Sequence, residues 1–328
     1  MHGRGHAVKP LGSLSLDLDN EWAYIKTHGD PAWESFPSYL DLVVPRFLGV
    51  LERLGLRITV FVVGQDAALE KNRTALRSIA AAGHEIGNHS FHHEPWLQNY
   101  SNEQIEAEIV SAGDAIADAT GERPRGFRGP GFSLSRSTLE TLAKHDYRYD
   151  CSTFPTYIGP LARAYYFMTA KLSPEERAKR KALFGSISDG LRPLRTYRWD
   201  LGDRSLVEVP VTTFPILKIP IHFSYVLYIA TLLPPLALPY FRCALLACRA
   251  LRISPSLLLH PLDFLDGDDV SSLAFFPAMK MPKERKLAVL VRALEIYRDL
   301  FAIVPVGEHA SAVERVEGAR RIVPQFGT

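Results

Sequence analysis

Cysteine is scarce in this chain. The 328 residues hold three, Cys151, Cys243 and Cys248, with no Cys-x-x-Cys pair. An odd number at irregular spacing argues against a disulfide framework and for a reducing compartment. A surplus of charge is missing too: the formal net charge is +2, too mild to argue for nucleic acid as a partner. Met1 to Pro10 has no apolar run of the export-signal type, so a cytoplasmic location is expected. What is abundant is apolar surface. At 47% hydrophobic, the chain can bury a large core, as one big α/β domain or two small ones.

The polar residues that interrupt this apolar background are informative. Leu14, Leu16 and Leu18 alternate with Ser15, Asp17 and Asp19, the period of a strand. Side chains two apart on a strand share a face, so Asp17 and Asp19 stand together. Two carboxylates that close resist joint ionisation unless a cation offsets them. His89-Ser90-Phe91-His92-His93 supplies a complement. On a helix or tight helical turn, the spacing of four puts the rings of His89 and His93 on one face. With one carboxylate they make a divalent-metal site that keeps positions open for water and substrate. Zinc heads the candidates, and cobalt, nickel or iron would suit the same donors. His92 has the wrong spacing to join them and is expected to face solvent or stand behind the ligands.

Along the chain, strands are predicted at about 12–19, 58–63, 84–90, 126–129, 147–152, 196–201, 205–211, 256–262 and 302–306. Helices are predicted at 38–54, 67–82, 101–120, 135–145 and 282–300. Gly55 sits at a helix C-cap, and Ser101 with Gln104 fits a capping box. Strands alternating with helices argue for parallel β/α units. Active residues in such folds gather at strand C-terminal ends, where Asp17, Asp19, His89 and Arg128 all fall. Arg123 and Arg125 read as solvated loop charges.

Two stretches break the alternation. Residues 155–195 mix Tyr157, Tyr165, Tyr166 and Phe167 with a basic helix from Ser173 to Lys181. Ile219 to Phe241 has no Asp, Glu, Lys or Arg. Pro234, Pro235 and Pro239 disfavour a straight span. A buried helix pair, a hairpin dipping into one leaflet or covering a lipid tail, and a span all stay open. Arg242, Arg249 and Arg252 nearby suit anionic headgroups or an ordinary solvated edge.

In motif order over most of residues 11–265, the chain resembles the polysaccharide deacetylase family, the NodB-homology hydrolases. The resemblance implies an irregular (β/α) barrel: 1–154 and 196–313 as one catalytic domain, 155–195 as a basic aromatic insertion, 216–252 as a hydrophobic helical one, and 314–328 as a tail. It implies Asp17 as catalytic base, Asp19 as metal ligand, and His89 and His93 as the His-x-x-x-His ligands. In Arg128-Gly129-Pro130-Gly131 it implies that Arg128 holds the base and that the Gly131 N–H binds the oxyanion. In Leu258-Leu259-His260 it gives His260 as general acid. Tyr149-Asp150-Cys151-Ser152 keeps the place of a further motif without its tryptophan. Asp150 is expected to hold His260 protonated, ahead of Glu208 and Asp263.

Many members have adjacent aspartates, whereas here one residue lies between. That is similar to the branch with some peptidoglycan deacetylases, cyclic-imide and allantoin hydrolases, and a lipid-linked aminoarabinose deformylase. The expected activity is removal of an acetyl or formyl group from the nitrogen of an amino sugar. The expected substrate is a lipid-linked or membrane-proximal glycan at the inner membrane face, with peripheral membrane contact through 216–252. The alternatives are a hydrolase of a small soluble amide or cyclic imide, and a non-catalytic glycan-binding member.

Overall fold

The computed structural model describes residues 9–159, 187–315 and 320–326. Among them are ten strands: β1 (Leu11–Leu18), β2 (Thr59–Val62), β3 (Glu85–Asn88), β4 (Gly126–Phe127), β5 (Tyr149–Asp150), β6 (Tyr197–Asp200), β7 (Ser205–Glu208), β8 (Ser256–Leu259), β9 (Ala302–Val304) and β10 (Arg321–Ile322). Ten helices accompany them: α1 (Glu21–Thr27), α2 (Leu40–Leu54), α3 (Gly64–Ala68), α4 (Arg73–Ala81), α5 (Asn102–Thr120), α6 (Arg136–Lys144), α7 (Phe223–Leu232), α8 (Pro234–Ala250), α9 (Lys283–Leu300) and α10 (Val306–Glu314). The strands form one sheet in the order β10-β6-β7-β5-β4-β3-β2-β1-β8, with β9 beside the start of β1. All pairs are parallel except β6 with β7.

The sheet curls on itself. Phe61 of β2, Tyr149 of β5, Val207 of β7 and Val306 of α10 share one apolar cluster. A flat sheet would hold β2 three places from β5 and four from β7. Residues 209–212 close the gap: Val211 N–H donates to Thr153 and Thr212 N–H to Ser256, each at 2.9 Å. The result is the expected irregular (β/α) barrel. Leu14, Leu16 and Leu18 of β1 face the outer core, whereas Ser13, Ser15 and Asp17 face the barrel interior, and all six are buried.

Register sets the site. Leu18 is level with Val62, and Val62 with Asn88, which pairs Phe127. One residue further on, Asp19, His89 and Arg128 therefore leave the barrel at one height. Leu16 is level with Leu259, which puts Asp17 level with His260.

The other end is plugged by α10, a helix beyond the last element expected from sequence. Val306 N–H donates to Thr59 Oγ1 at 2.7 Å and Gly307 N–H to Glu85 Oε2 at 2.9 Å. A carboxylate at a helix N-terminus is favoured by the aligned peptide dipoles. From α10, His309 Nδ1 meets Ser13 Oγ at 2.8 Å. Burial lowers the His309 imidazole from 6.5 to about 4. The unfolded chain thus binds a proton in a range where the folded chain does not. Stability from this group is complete above pH 6.5 and falls as the pH drops towards 4, by about 3 kcal/mol in all. His309→Gln should flatten that acid slope in urea denaturation. An unchanged slope would assign the acid loss to other groups.

Several boundaries differ from expectation for physical reasons. The helix expected at 67–82 is divided into α3, a 3-10 turn at Glu70–Asn72, and α4. Asn72 causes the break, because its side-chain amide donates to the backbone and side-chain oxygens of buried Asp66, each at 3.1 Å. The tail does not hang free: β10 pairs with Arg198 and Trp199 of β6, and Phe326 packs on Trp199. Gly55 does end α2, with φ 64, and the Ser101–Gln104 capping box is formed. The uncharged run is a helix pair, α7 and α8, with Pro234 at the first turn of α8, where a missing N–H costs nothing. No helix among the described residues is long and apolar enough to cross a membrane. The expected basic helix Ser173–Lys181, with Tyr165, Tyr166 and Phe167, lies outside the described residues.

Candidate active site

His89 directly follows β3, but the run to His93 is not the expected helical turn. Ser90 and His93 have φ of 59 and 52, left-handed values that cost energy for residues with a Cβ. Neighbours hold them there. Asn88 Oδ1 takes the Ser90 N–H at 2.8 Å, and Glu108 Oε2 on α5 takes the N–H groups of Phe91 and His92, each at 2.9 Å. His92 turns away to place Nδ1 2.5 Å from Glu108 Oε1, so it braces the loop from outside. The turn delivers both other rings to one carboxylate oxygen. Nε2 of His93 is 3.0 Å, and Nε2 of His89 3.3 Å, from Asp19 Oδ1.

One ligand atom from each of Asp19, His89 and His93 lies within 4.8 Å of the others, and all three residues are buried. Nδ1 of His89 donates to the Arg128 carbonyl at 2.6 Å, which turns the Nε2 lone pair inward. Burial works against charge on Asp19, but His93 and His89 outweigh it and hold the carboxyl well below its usual 3.8. The donor chemistry and the fixed tautomer fit a divalent ion such as zinc, with coordination positions left over.

Asp17 stands beside this cluster and belongs to a different network. Arg128 Nη1 donates to Asp17 Oδ1 at 2.6 Å and to Ser15 Oγ at 2.9 Å, while Nε donates to the Cys151 carbonyl at 3.1 Å. The guanidinium is wholly buried and lies 4.6 Å over the Phe61 ring. Arg128 thus fixes Asp17 with its side chain and His89 with its backbone. Arg123 and Arg125 are exposed, as expected, on Asp114 and on the Asp146 carbonyl. Gly131 has φ 58 in a 3-10 turn, and a Cβ there would lie 2.9 Å from Pro95. Both features call for glycine, and the N–H groups that open such a turn lack intrahelical acceptors.

His260 follows β8, but its carboxylate is not Asp150. Ser224 Oγ on α7 is 3.1 Å from His260 Nδ1 and donates to Asp263 Oδ1 at 2.8 Å. The other oxygen of Asp263 accepts the His260 N–H at 2.8 Å. Asp150 instead accepts from Ser152 Oγ at 2.6 Å and lies against Glu208. The reason is its strand: Asp150 on β5 pairs in register with Glu208 on β7, so its side chain is spent inside the sheet.

Sequence reasoning missed His222 and Ser224. His222 is buried 5.9 Å from the His260 ring, and its Nδ1 has no partner among the described residues. Burial, then His260 and Arg128, hold it well below 6.5, so it is neutral. The one available signal was a pair of polar residues within an uncharged run. With His260, Tyr24, Tyr225, Tyr228 and Phe276, they line a pocket of about 180 Å³. Burial raises the Tyr24 phenol well above 10.0, with Asp19 and Asp263 both adding to it. The pocket holds His260, which is level in the sheet with Asp17.

A family model described as polysaccharide deacetylase matches residues 30–149, which include His89, His93 and Arg128. The chain is 31% identical over 153 residues to a peptidoglycan deacetylase of Helicobacter pylori, covering 44% of this chain and 50% of that one. It is 25% identical over 141 residues to a peptidoglycan-N-acetylglucosamine deacetylase of Bacillus cereus, covering 43% and 62%. The chain thus spans about half the length of the curated relatives it matches. The crystal structure of a provisionally named polysaccharide deacetylase from Mycobacterium smegmatis shares the fold. Its TM-score is 0.65 at 20% identity, over 99% of this chain and 97% of that one.

Proposed function

Because this chain belongs to the polysaccharide deacetylase family, we propose that it is a metal-dependent hydrolase that removes an N-acyl group, acetyl or formyl, from an amino sugar. The observation that carries the reading is the meeting of Asp19, His89 and His93 at one buried point, with the Asp17–Arg128 pair beside it. A divalent ion held by those three residues supplies Lewis acidity toward water and the amide carbonyl. The chain's own groups do the rest. Asp17, fixed by Arg128, accepts the proton of the attacking water. The Gly131 N–H is a donor for the developing oxyanion. His260, positioned by Ser224 and Asp263, protonates the nitrogen as the C–N bond breaks. A carboxylic acid and a free amine leave.

The finer part of the proposal concerns the carrier. Helix α7 brings the uncharged run to the pocket beside His260, and α8 continues it, which suits a sugar presented on a lipid or close to a membrane. A cytoplasmic setting at the inner face belongs to the same reading and agrees with three free cysteines. Mass spectrometry of lipid-linked glycans, from cells with and without the protein, tests it. A difference of one acyl group is expected. No difference, together with equal acyl release from soluble chito-oligomers, would remove the lipid from the proposal and leave the hydrolase.

A further inference from the structure

Between Glu208 and Asp263 the sequence has no acidic residue, and its formal cations are Lys218, Arg242, Arg249 and Arg252. Helix α8 lies within this segment and is apolar on both faces. Ala237, Phe241, Ala244, Leu245 and Cys248 pack into the core. On the opposite face, at helical spacing, Leu236, Pro239, Cys243, Leu246 and Ala250 are exposed, and Arg242 and Arg249 form one edge. The outward face of an ordinary surface helix is polar. A helix apolar outward with an arginine edge has the pattern of one lying in a membrane interface.

Two neighbouring segments extend this face. At the turn between α7 and α8, Leu232 is 79% exposed and Leu233 56%. In the loop 214–220, Ile216 is 80% exposed at φ 71, a strained value for a β-branched residue. The loop is tied to α8 one turn from Leu236, since Tyr240 Oη donates to the Pro220 carbonyl at 2.9 Å and its ring packs on Phe214. Loop, turn and helix make one acid-free apolar surface with cations at its margin.

We infer that this surface, formed by residues 216–219, 231–236 and the outward face of α8, seats the protein on an anionic lipid bilayer. Charge complementarity selects the occupant, because these segments carry no acid and present Arg242 and Arg249 exposed along their edge, which draws negative headgroups. A second copy would bring the same cations against themselves. Seating also sets reach. Tyr228 and Ser224, at the His260 pocket, are four and eight residues from Leu232 on α7, roughly 6 and 12 Å at 1.5 Å per residue. The amide that is cleaved therefore lies within about one or two sugar units of the lipid surface. This last step rests on the proposed hydrolase reading, whereas the docking itself does not.

The test is sedimentation of the full chain with vesicles of phosphatidylcholine alone, or mixed with phosphatidylglycerol. Binding to the mixed vesicles, weakened by salt, is expected. Leu232→Glu with Leu236→Glu should lower it at least about tenfold, and Arg242→Gln with Arg249→Gln should lower it less. Divalent-ion titration and the thermal melt should not change, because these side chains are exposed and none belongs to the Asp19–His89–His93 cluster. Wild-type protein that ignores the mixed vesicles, or glutamate variants that bind as well, would overturn the inference. So would a concentration-dependent dimer that the same substitutions abolish. Neither readout needs a substrate, so a failed docking test leaves the hydrolase untouched, and a failed acyl-release assay leaves the docking untouched.

Discussion

Asp17→Asn is expected to bind one divalent ion as tightly as the unaltered chain while losing roughly 10²–10⁴-fold in turnover. His89→Ala is expected to lose both. The contrast follows from position. Asp17 contributes no atom to the point where Asp19, His89 and His93 converge. Asparagine keeps its volume and can still accept the Arg128 N–H now made at 2.6 Å, so the pocket keeps its shape. It cannot take a proton from water. His89→Ala removes one of two imidazoles from Asp19 Oδ1 and frees the Arg128 carbonyl at the same stroke. Calorimetric titration with zinc, run beside an acyl-release assay, separates the two variants. Equal loss of metal in both would mean that base and ligand have been exchanged in this reading.

Arg128→Met should be the most destabilising single change at the site, by about 3–5 kcal/mol. It strands the buried carboxylate of Asp17 without its cation and leaves Ser15 Oγ and the Cys151 carbonyl without their donors. Methionine fills the space over Phe61 but offers no N–H. Turnover should fall as well, since Asp17 loses the Arg128 contact at 2.6 Å that fixes it beside the Asp-His-His cluster. Arg128→Lys keeps the charge but loses the planar fork, so it should recover only part of the stability. Urea denaturation of the three proteins, with metal content measured alongside, checks the order. A Met variant as stable as the parent would show that the pair is not worth its desolvation here.

What could be read before the structure was local. Alternation in β1 marks Asp17 and Asp19, and four-residue spacing marks His89 and His93, because strand and turn periods are written in adjacent residues. The ladders then bring distant strand ends to one height, as a parallel sheet does. What could not be read was tertiary. The partner of His260 arrives from α7 as Ser224, and no local pattern links residues 224, 260 and 263. Asp150 sits in the expected motif, yet its register with Glu208 turns it to another use. The left-handed backbone at Ser90 and His93 depends on Glu108, on a helix further along the chain. The plug α10 is a short segment whose role depends on the barrel around it.

The Asp150–Glu208 seam has one more consequence. Both carboxyls are buried, and desolvation raises each, with Asp150 adding to the rise in Glu208 well above 4.5. Both therefore keep protons to higher pH than free carboxyls do, and Thr153 and Trp199 donate to Glu208 on one side and Ser152 to Asp150 on the other. A carboxyl raised in the folded state keeps a proton that the unfolded chain has released, so what this seam contributes is lost as the medium turns alkaline. His309 adds a loss in the opposite direction, since its buried neutral ring gives up stability as the pH falls towards 4. The molecule thus yields to acid at its floor, through His309, and to alkali in its wall, through this pair.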